Sequence, residues 1–401
     1  MNNNSKPRLF TGSYWAILGA NFMLFFAFYL IMPILPFYLK EIFNTPNSLI
    51  GIILACYTVA ALTIRPFAGY LLDAMARKPL YVATFFFFVL FFGGYIVSIS
   101  LFMVIIVRAL QGLMFGIVTV AGNTVVIDIM PSERRGEGLG YYGLANNIAM
   151  AFGPMVGLFL HDYFSFNTIF VIAILTGTIG LILASCVRTK QKPPVKRPPI
   201  SLDRFLLIKG LPAGLALLML SVPYGITSTY IAVYAQELNL SISSGLFFTF
   251  MAAGMMASRI FSGKLVDKGY VSQVISVGIT IVLICYFGLA ACLPISQHIP
   301  NALSLIFCTI ALFVGVGFGT IFPAYNTLFV NLAEHNQRGT ANSTYLTSWD
   351  VGIGFGLVLG GIVSQHTSFA YAYLIGASLC VISAIYFTLY VGPHYNHHKL
   401  R

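Results

Sequence analysis

Twelve long apolar runs, separated by short polar turns, leave this chain little choice of solvent. The runs cover approximately 14–39, 48–72, 80–100, 102–127, 138–160, 168–187, 211–235, 243–266, 271–293, 302–328, 340–363 and 369–391. Each reaches the ~20 residues that an α-helix needs to cross a bilayer core. The chain is 58% hydrophobic and 8% charged, with a mean hydropathy of +0.87, whereas soluble domains carry about 25% charged residues. A chain this apolar cannot cover its own surface with polar groups. Lipid is the predicted solvent, and in lipid the backbone must satisfy its hydrogen bonds inside helices.

The charges that remain set the topology. A net charge of +11 on a soluble domain would point to nucleic acid, but here the basic residues sit in the turns. One side collects Lys6, Arg8, Arg77, Lys78, Arg134, Arg135, Lys268, Arg338, Lys399 and Arg401, together with seven basic residues between Arg188 and Lys209; the other holds Lys40 alone. Positive charge marks the cytoplasmic side, so both termini are expected in the cytoplasm and the protein in the cell (inner) membrane. Lys192-Pro193-Pro194 and Arg197-Pro198-Pro199 mark a semi-rigid tether. The predicted domains are a bundle over 1–187, a linker over 188–208 and a second bundle over 209–401. The six cysteines lie inside apolar runs without metal-site spacing and read as buried hydrophobes. The tail His394-Tyr395-Asn396-His397-His398 is expected to be a solvated, frayed end rather than a metal site. No metal or other cofactor is expected.

The two bundles read as copies of one unit. Arg65, Gly69 and Asp73 recur as Arg259, Gly263 and Asp267, 194 residues further on. At an offset of 203, Gly112, Gly116, Asn123-Thr124, Arg135-Gly136, Tyr142, Gly153 and Gly157 match Gly315, Gly319, Asn326-Thr327, Arg338-Gly339, Tyr345, Gly356 and Gly360. The fold class predicted is an all-α membrane protein, twelve transmembrane helices in two pseudo-symmetric six-helix bundles, a plan used by secondary transporters. Helices associate in lipid through small residues that let backbones approach. The stripes Gly153, Pro154, Gly157 and Gly352, Gly356, Gly360 are therefore expected to form a seam joining the halves; packing inside one half is the alternative.

These residues resemble the major facilitator superfamily, and within it the twelve-span drug:proton antiporters. The loop between spans two and three is similar to the family signature in Gly69-Tyr70-Leu71-Leu72-Asp73 with Arg77 and Lys78, with Ala74 and Ala76 departing from it. Span four resembles it in Arg108, Gln111-Gly112 and Gly116, and the following loop in Asp128, Pro131 and Arg135-Gly136. The antiporter signature of span five appears as Gly140, Gly153-Pro154 and Gly157, with Ala149 where glycine is usual; Pro33 and Pro36 resemble the Pro-x-x-Pro of span one. Leu357 stands at the repeat position of Pro154, so only the first half carries the antiporter signature.

Charge inside a span costs about 2.5–3.5 kcal/mol on insertion scales, so it marks candidate function. Asp350 lies about ten residues into span eleven, roughly 15 Å deep at ~1.5 Å per residue, with Asn147 as its uncharged repeat mate. It is the expected proton-coupling residue, against a structural ion pair. The resemblance implies that Arg108 holds an anionic group or modulates that site, against a structural arginine; its mate is Ala311. The expected substrate cavity comprises Tyr29, Gln111, Asn146, Asn147, Tyr224, Tyr325, Asn326, Tyr345 and Trp349. The expected cytoplasmic gate comprises Arg65, Gly69, Asp73, Arg77, Lys78, Asp128, Arg135, Arg259 and Asp267.

The function expected is proton-coupled export of a small amphipathic compound by alternating access, by a monomer whose partners are its substrate, protons and membrane lipids. Symport of a small metabolite is the alternative. A receptor or lipid enzyme is a third class, which no catalytic Ser/His/Asp or metal cluster supports. No phosphate-binding Gly-x4-Gly-Lys run occurs, so nucleotide hydrolysis is not expected to drive it.

Overall fold

The computed structural model describes residues 8–74, 76–131, 134–189, 206–240, 242–243, 245–298, 300–334 and 337–400. Fourteen α-helices form among them. They are α1 (Gly12–Ile31), α2 (Leu35–Phe43), α3 (Asn47–Ala74), α4 (Arg77–Val97), α5 (Leu101–Ile129), α6 (Arg135–Tyr163), α7 (Phe166–Cys186), α8 (Leu211–Glu237), α9 (Gly245–Asp267), α10 (Val271–His298), α11 (Pro300–Leu332), α12 (Arg338–His366), α13 (Phe369–Tyr386) and α14 (Gly392–His398). Twelve spans among the described residues are long and apolar enough to cross a membrane, as the hydropathy predicts. Three of them are composite, the seventh (Ile208–Glu237) by a 3-10 turn, Ile208–Gly210, ahead of α8. Span one joins α1 and α2, and the last joins α13 to α14 through a π-helical turn, Phe387–Val391.

The elements begin and end for local reasons. Thr11, Ser100 and Ser165 cap α1, α5 and α7, each accepting the N–H three residues on, which satisfies a donor the helix leaves orphaned. Span one breaks at Met32–Ile34 because proline has no N–H to give. Pro36 then falls in the first turn of α2, where that loss costs nothing. Asn44 ends α2 at φ 50 and returns its N–H to the Leu39 carbonyl; asparagine is among the few side chains that accept this left-handed conformation.

Contacts divide the chain into two compact units. One is Met1–Met32 with Val59–Pro198; the other is Pro33–Thr58 with Pro199–Arg401. The first is held by α1 against α6 and α7, and by α4 against α5 and α7. The second repeats this plan: α8 packs on α12 and α13, and α10 on α11 and α13. Large apolar side chains such as Phe86, Phe87, Leu90, Ile179, Ile182 and Ile284 point outward. In water such a surface would be a liability; against acyl chains it is the expected exterior.

The repeat extends to individual contacts. A Cβ on Gly116 would lie 2.6 Å from the Ala61 carbonyl oxygen and against Ile64. On its mate Gly319 it would lie 2.8 Å from the Met255 carbonyl oxygen and against Ser258, and Met255 and Ser258 are Ala61 and Ile64 shifted by the same 194 residues as the arginines. A knot of rings repeats as well. Phe115 of α5 meets Phe28 of α1 at 5.1 Å and Phe88 of α4 at 5.7 Å. Its mate Phe318 of α11 meets Tyr224 of α8 at 4.9 Å and Tyr286 of α10 at 6.4 Å.

The glycine stripes do not join one half to the other; they pack inside each unit. A Cβ on Gly153 would lie 2.6 Å from Tyr29 Cβ, and one on Gly157 would strike the Leu30 carbonyl, both on α1. Gly352, Gly356 and Gly360 approach Ser221, Val222 and Tyr230 of α8 in the same way. The spacing of small residues requires a close neighbour but does not say which one. A second face of α12 does take up the stretch carrying Pro33–Thr58. There Gly361 meets the Asn47 carbonyl, Gly51 meets the Leu357 carbonyl, and the Asn47 N–H donates to Gln365 Oε1 at 2.9 Å.

Candidate functional site

In the first unit, Arg108 and Gln111 share a face of α5 as spacing requires, and both are buried, at 3% and 0% exposure. Tyr95, from α4, joins them. Its hydroxyl donates to Gln111 Oε1 at 2.7 Å and accepts from Arg108 Nη1 at 3.5 Å, while its ring stacks on Phe170 of α7 at 5.2 Å. Gln111 is thus a member of a polar knot between α4 and α5. Tyr95 is absent from the sequence-based site; its one signal is a phenol placed after Gly93-Gly94 in the third apolar run. Losing the Tyr95 hydroxyl would leave a buried amide oxygen short of a donor, at a cost of about 1–3 kcal/mol. Tyr95→Phe is therefore expected to lower the melting temperature in detergent; an unchanged melt would show that the bond adds nothing.

In the second unit, Trp349 lies 4.8 Å from Tyr224, 4.6 Å from Phe322 and 5.9 Å from Phe318, ring centre to ring centre. Sequence reasoning chose Tyr224 and Trp349, and the fold brings these two together. Tyr345 stands one turn earlier on α12, with its ring 5.9 Å from Phe329. It interacts electrostatically with Asp350 and with Arg259 of α9. Arg259, read from sequence as a gate residue, thus lies within electrostatic reach of Tyr345. Asp350 itself is half-buried. Tyr325 turns away from this group: its ring lies 5.8 Å from Phe387, and its buried hydroxyl has no protein partner. Tyr29 is buried in the first unit, where Asn146 and Asn147 are half-buried, and Asn326 is exposed in the second.

Of the expected gate, Arg77 and Asp128 are joined: Arg77 Nη1 lies 2.7 Å from Asp128 Oδ2. Arg77 opens α4 and Asp128 lies in the last turn of α5. Each charge opposes its own helix dipole, since cations suit C-termini and anions suit N-termini. The pair relieves both. Arg65 and Lys78 are half-buried. The side chains of Gly69, Asp73, Arg135 and Asp267, and residues 190–205 of the linker, lie outside the described residues.

Twelve membrane-length helices built on a repeated plan, with charge inside the spans, are the form of a membrane transporter. Residues 17–352 and 269–400 match the Major Facilitator Superfamily, and the chain belongs to that family: it is a multi-pass transporter and not an enzyme. The staphylopine export protein of Staphylococcus aureus is 22% identical over 84% of this chain and 86% of its own. The multidrug resistance protein MdtG of Escherichia coli is 25% identical over 90% of each. Among solved structures, the peptide transporter POT bound to sulfate superposes with a TM-score of 0.78 at 14% identity, covering 96% of this chain and 95% of that one. A D-xylose-proton symporter superposes at 0.75 and 16%, covering 97% and 99%. Such structural likeness shows the fold.

Proposed function

We propose that this transporter is a proton-coupled exporter of small amphipathic compounds. The observation that carries the coupling is Asp350, a half-buried carboxylate on α12 in the electrostatic company of Tyr345. A carboxylate inside a span is costly to keep there, and such a charge marks a functional position. The direction rests on the relatives, which are named for export and multidrug resistance. It rests also on the Gly153-Pro154 signature, which only the first half carries and which builds the α6–α1 contact. The aromatic group around Trp349 suits an apolar or amphipathic substrate better than a sugar, which needs many hydrogen-bond partners. We take the protein to act as a monomer in the cell (inner) membrane, with both termini cytoplasmic.

Inverted vesicles test this. With the interior acidified, an exporter accumulates labelled compound and a symporter discharges it; neither response would remove transport coupled to protons. Symport remains the second reading, because a proton symporter shares the fold.

The Arg77–Asp128 pair is our cytoplasmic latch. Exchanging the charges, Arg77→Asp with Asp128→Arg, keeps the pair and aligns each member with its helix dipole, worth typically 0.3–1 kcal/mol apiece. The exchanged protein is expected to melt higher and to transport more slowly. Transport at the wild-type rate in a stabilised protein would remove the pair from the gate.

A further inference from the structure

The histidine-rich tail is not the frayed end that its position in the sequence suggests. Gly392–His398 forms α14, which continues the last span through the π-helical turn. Tyr395 is buried, and its hydroxyl accepts from Asn331 Nδ2 at 2.9 Å. The Leu400 N–H donates to the Asn331 carbonyl at 2.9 Å. The tail is thereby fastened to the end of α11, and a helix held this way presents its outer face reproducibly.

That face carries a column of rings spaced by four residues: Tyr386, Tyr390, His394 and His398. The two imidazoles lie face to face, 4.3 Å between centres. Each has one nitrogen fixed by a backbone carbonyl, His394 Nε2 on Lys209 at 3.0 Å and His398 Nδ1 on His394 at 2.9 Å. A carbonyl can only accept, so both of those nitrogens carry the proton. In the neutral tautomer of each ring the other nitrogen is an acceptor. His394 Nδ1 and His398 Nε2 are then left with lone pairs. A metal-binding histidine is oriented in this way, its other N–H given to a backbone carbonyl or carboxylate. Residues at i and i+4 hold their Cβ atoms ~5–6 Å apart, a span that one ion with ~2 Å metal–nitrogen bonds bridges.

We propose that His394 and His398 form a surface site for a divalent transition-metal ion, with water completing its coordination. Imidazole suits copper, zinc and nickel, and copper(II) binds most tightly in that series. No group of three or more metal-ligating side chains occurs among the described residues, so the site is open and of modest affinity. His397, whose ring lies 5.6 Å from that of His398, is one residue out of register with the pair.

The test titrates copper(II) alone into the purified full-length protein in detergent at neutral pH, followed by calorimetry and by electron paramagnetic resonance. One equivalent is expected, with coupling to two imidazole nitrogens. His398→Ala should weaken it by about tenfold or more, and His397→Ala should leave it unchanged. His398 bonds only to its own helix, so its loss leaves the docking of α14 intact, and an unchanged melting temperature checks this. Binding should weaken on acidification, because protons and the metal compete for the same imidazole nitrogens. The proposal is overturned if wild-type and His394→Ala/His398→Ala proteins bind copper(II) equally, or if His397→Ala alone abolishes binding.

Discussion

Replacing Asp350 by asparagine is expected to abolish transport driven by a pH gradient while leaving the protein folded. The substitution keeps the shape of the side chain and removes its proton chemistry, and its repeat mate Asn147 shows that the same position in the first half is occupied by asparagine. Removing a half-buried charge from a span relieves desolvation, so the melting temperature should hold or rise. Exchange of labelled for unlabelled compound across the membrane, which needs no net proton movement, should survive. Asp350→Glu should recover part of the driven transport, because the carboxylate returns on a longer arm. The decisive measurement is uptake into inverted vesicles with and without an imposed gradient. If the asparagine variant responds to the gradient as the wild type does, Asp350 is only a partner of Tyr345, and the coupling proton is carried elsewhere.

The second large effect concerns packing. Gly157→Leu is expected to disrupt the first unit. A Cβ at this position would strike the Leu30 carbonyl on α1, and a backbone group cannot rotate aside as a side chain can. Overpacking a well-filled site costs typically 1–3 kcal/mol, and this substitution belongs at or beyond the top of that range because α1 and α6 must separate. The comparison is Gly140→Leu, also on α6, where an added Cβ meets nothing within 4 Å. Thermal melts in detergent should place the Gly157 variant far below the Gly140 variant. Equal melting temperatures would mean that the α1–α6 contact yields easily.

The spans, their number and their duplication were legible because each rests on one-dimensional information: a long apolar run, a proline, a residue type recurring at a fixed interval. Arg77 and Asp128 were legible as members of signatures, although only the fold shows them bonded. What eluded the sequence was the identity of partners. Gly153 and Gly157 announce a close approach, yet nothing in their spacing distinguishes α1 of the same unit from a helix of the other half. Gln111 is bonded by Tyr95 from a neighbouring helix, a partner that its own spacing does not announce. Arg259 is expected in the gate because its repeat mate adjoins a charged turn, and its electrostatic neighbour Tyr345 has no signal in the sequence. Each of these facts is a meeting between helices far apart in the chain.

The ring knot has a consequence for how such a chain tolerates change in length. Phe318 follows Phe115 by 203 residues, but Tyr224 follows Phe28 by 196 and Tyr286 follows Phe88 by 198. The two copies have gained or lost residues relative to each other, and still the three rings meet in both. Every change in length has therefore been absorbed in the connections, while the rotational phase of each span was kept. Inserting a single residue inside a span turns everything beyond it by about 100° and parts the rings, whereas the same residue in a turn displaces none of them. The knot acts as a fixed point against which the rest of each copy has been free to drift.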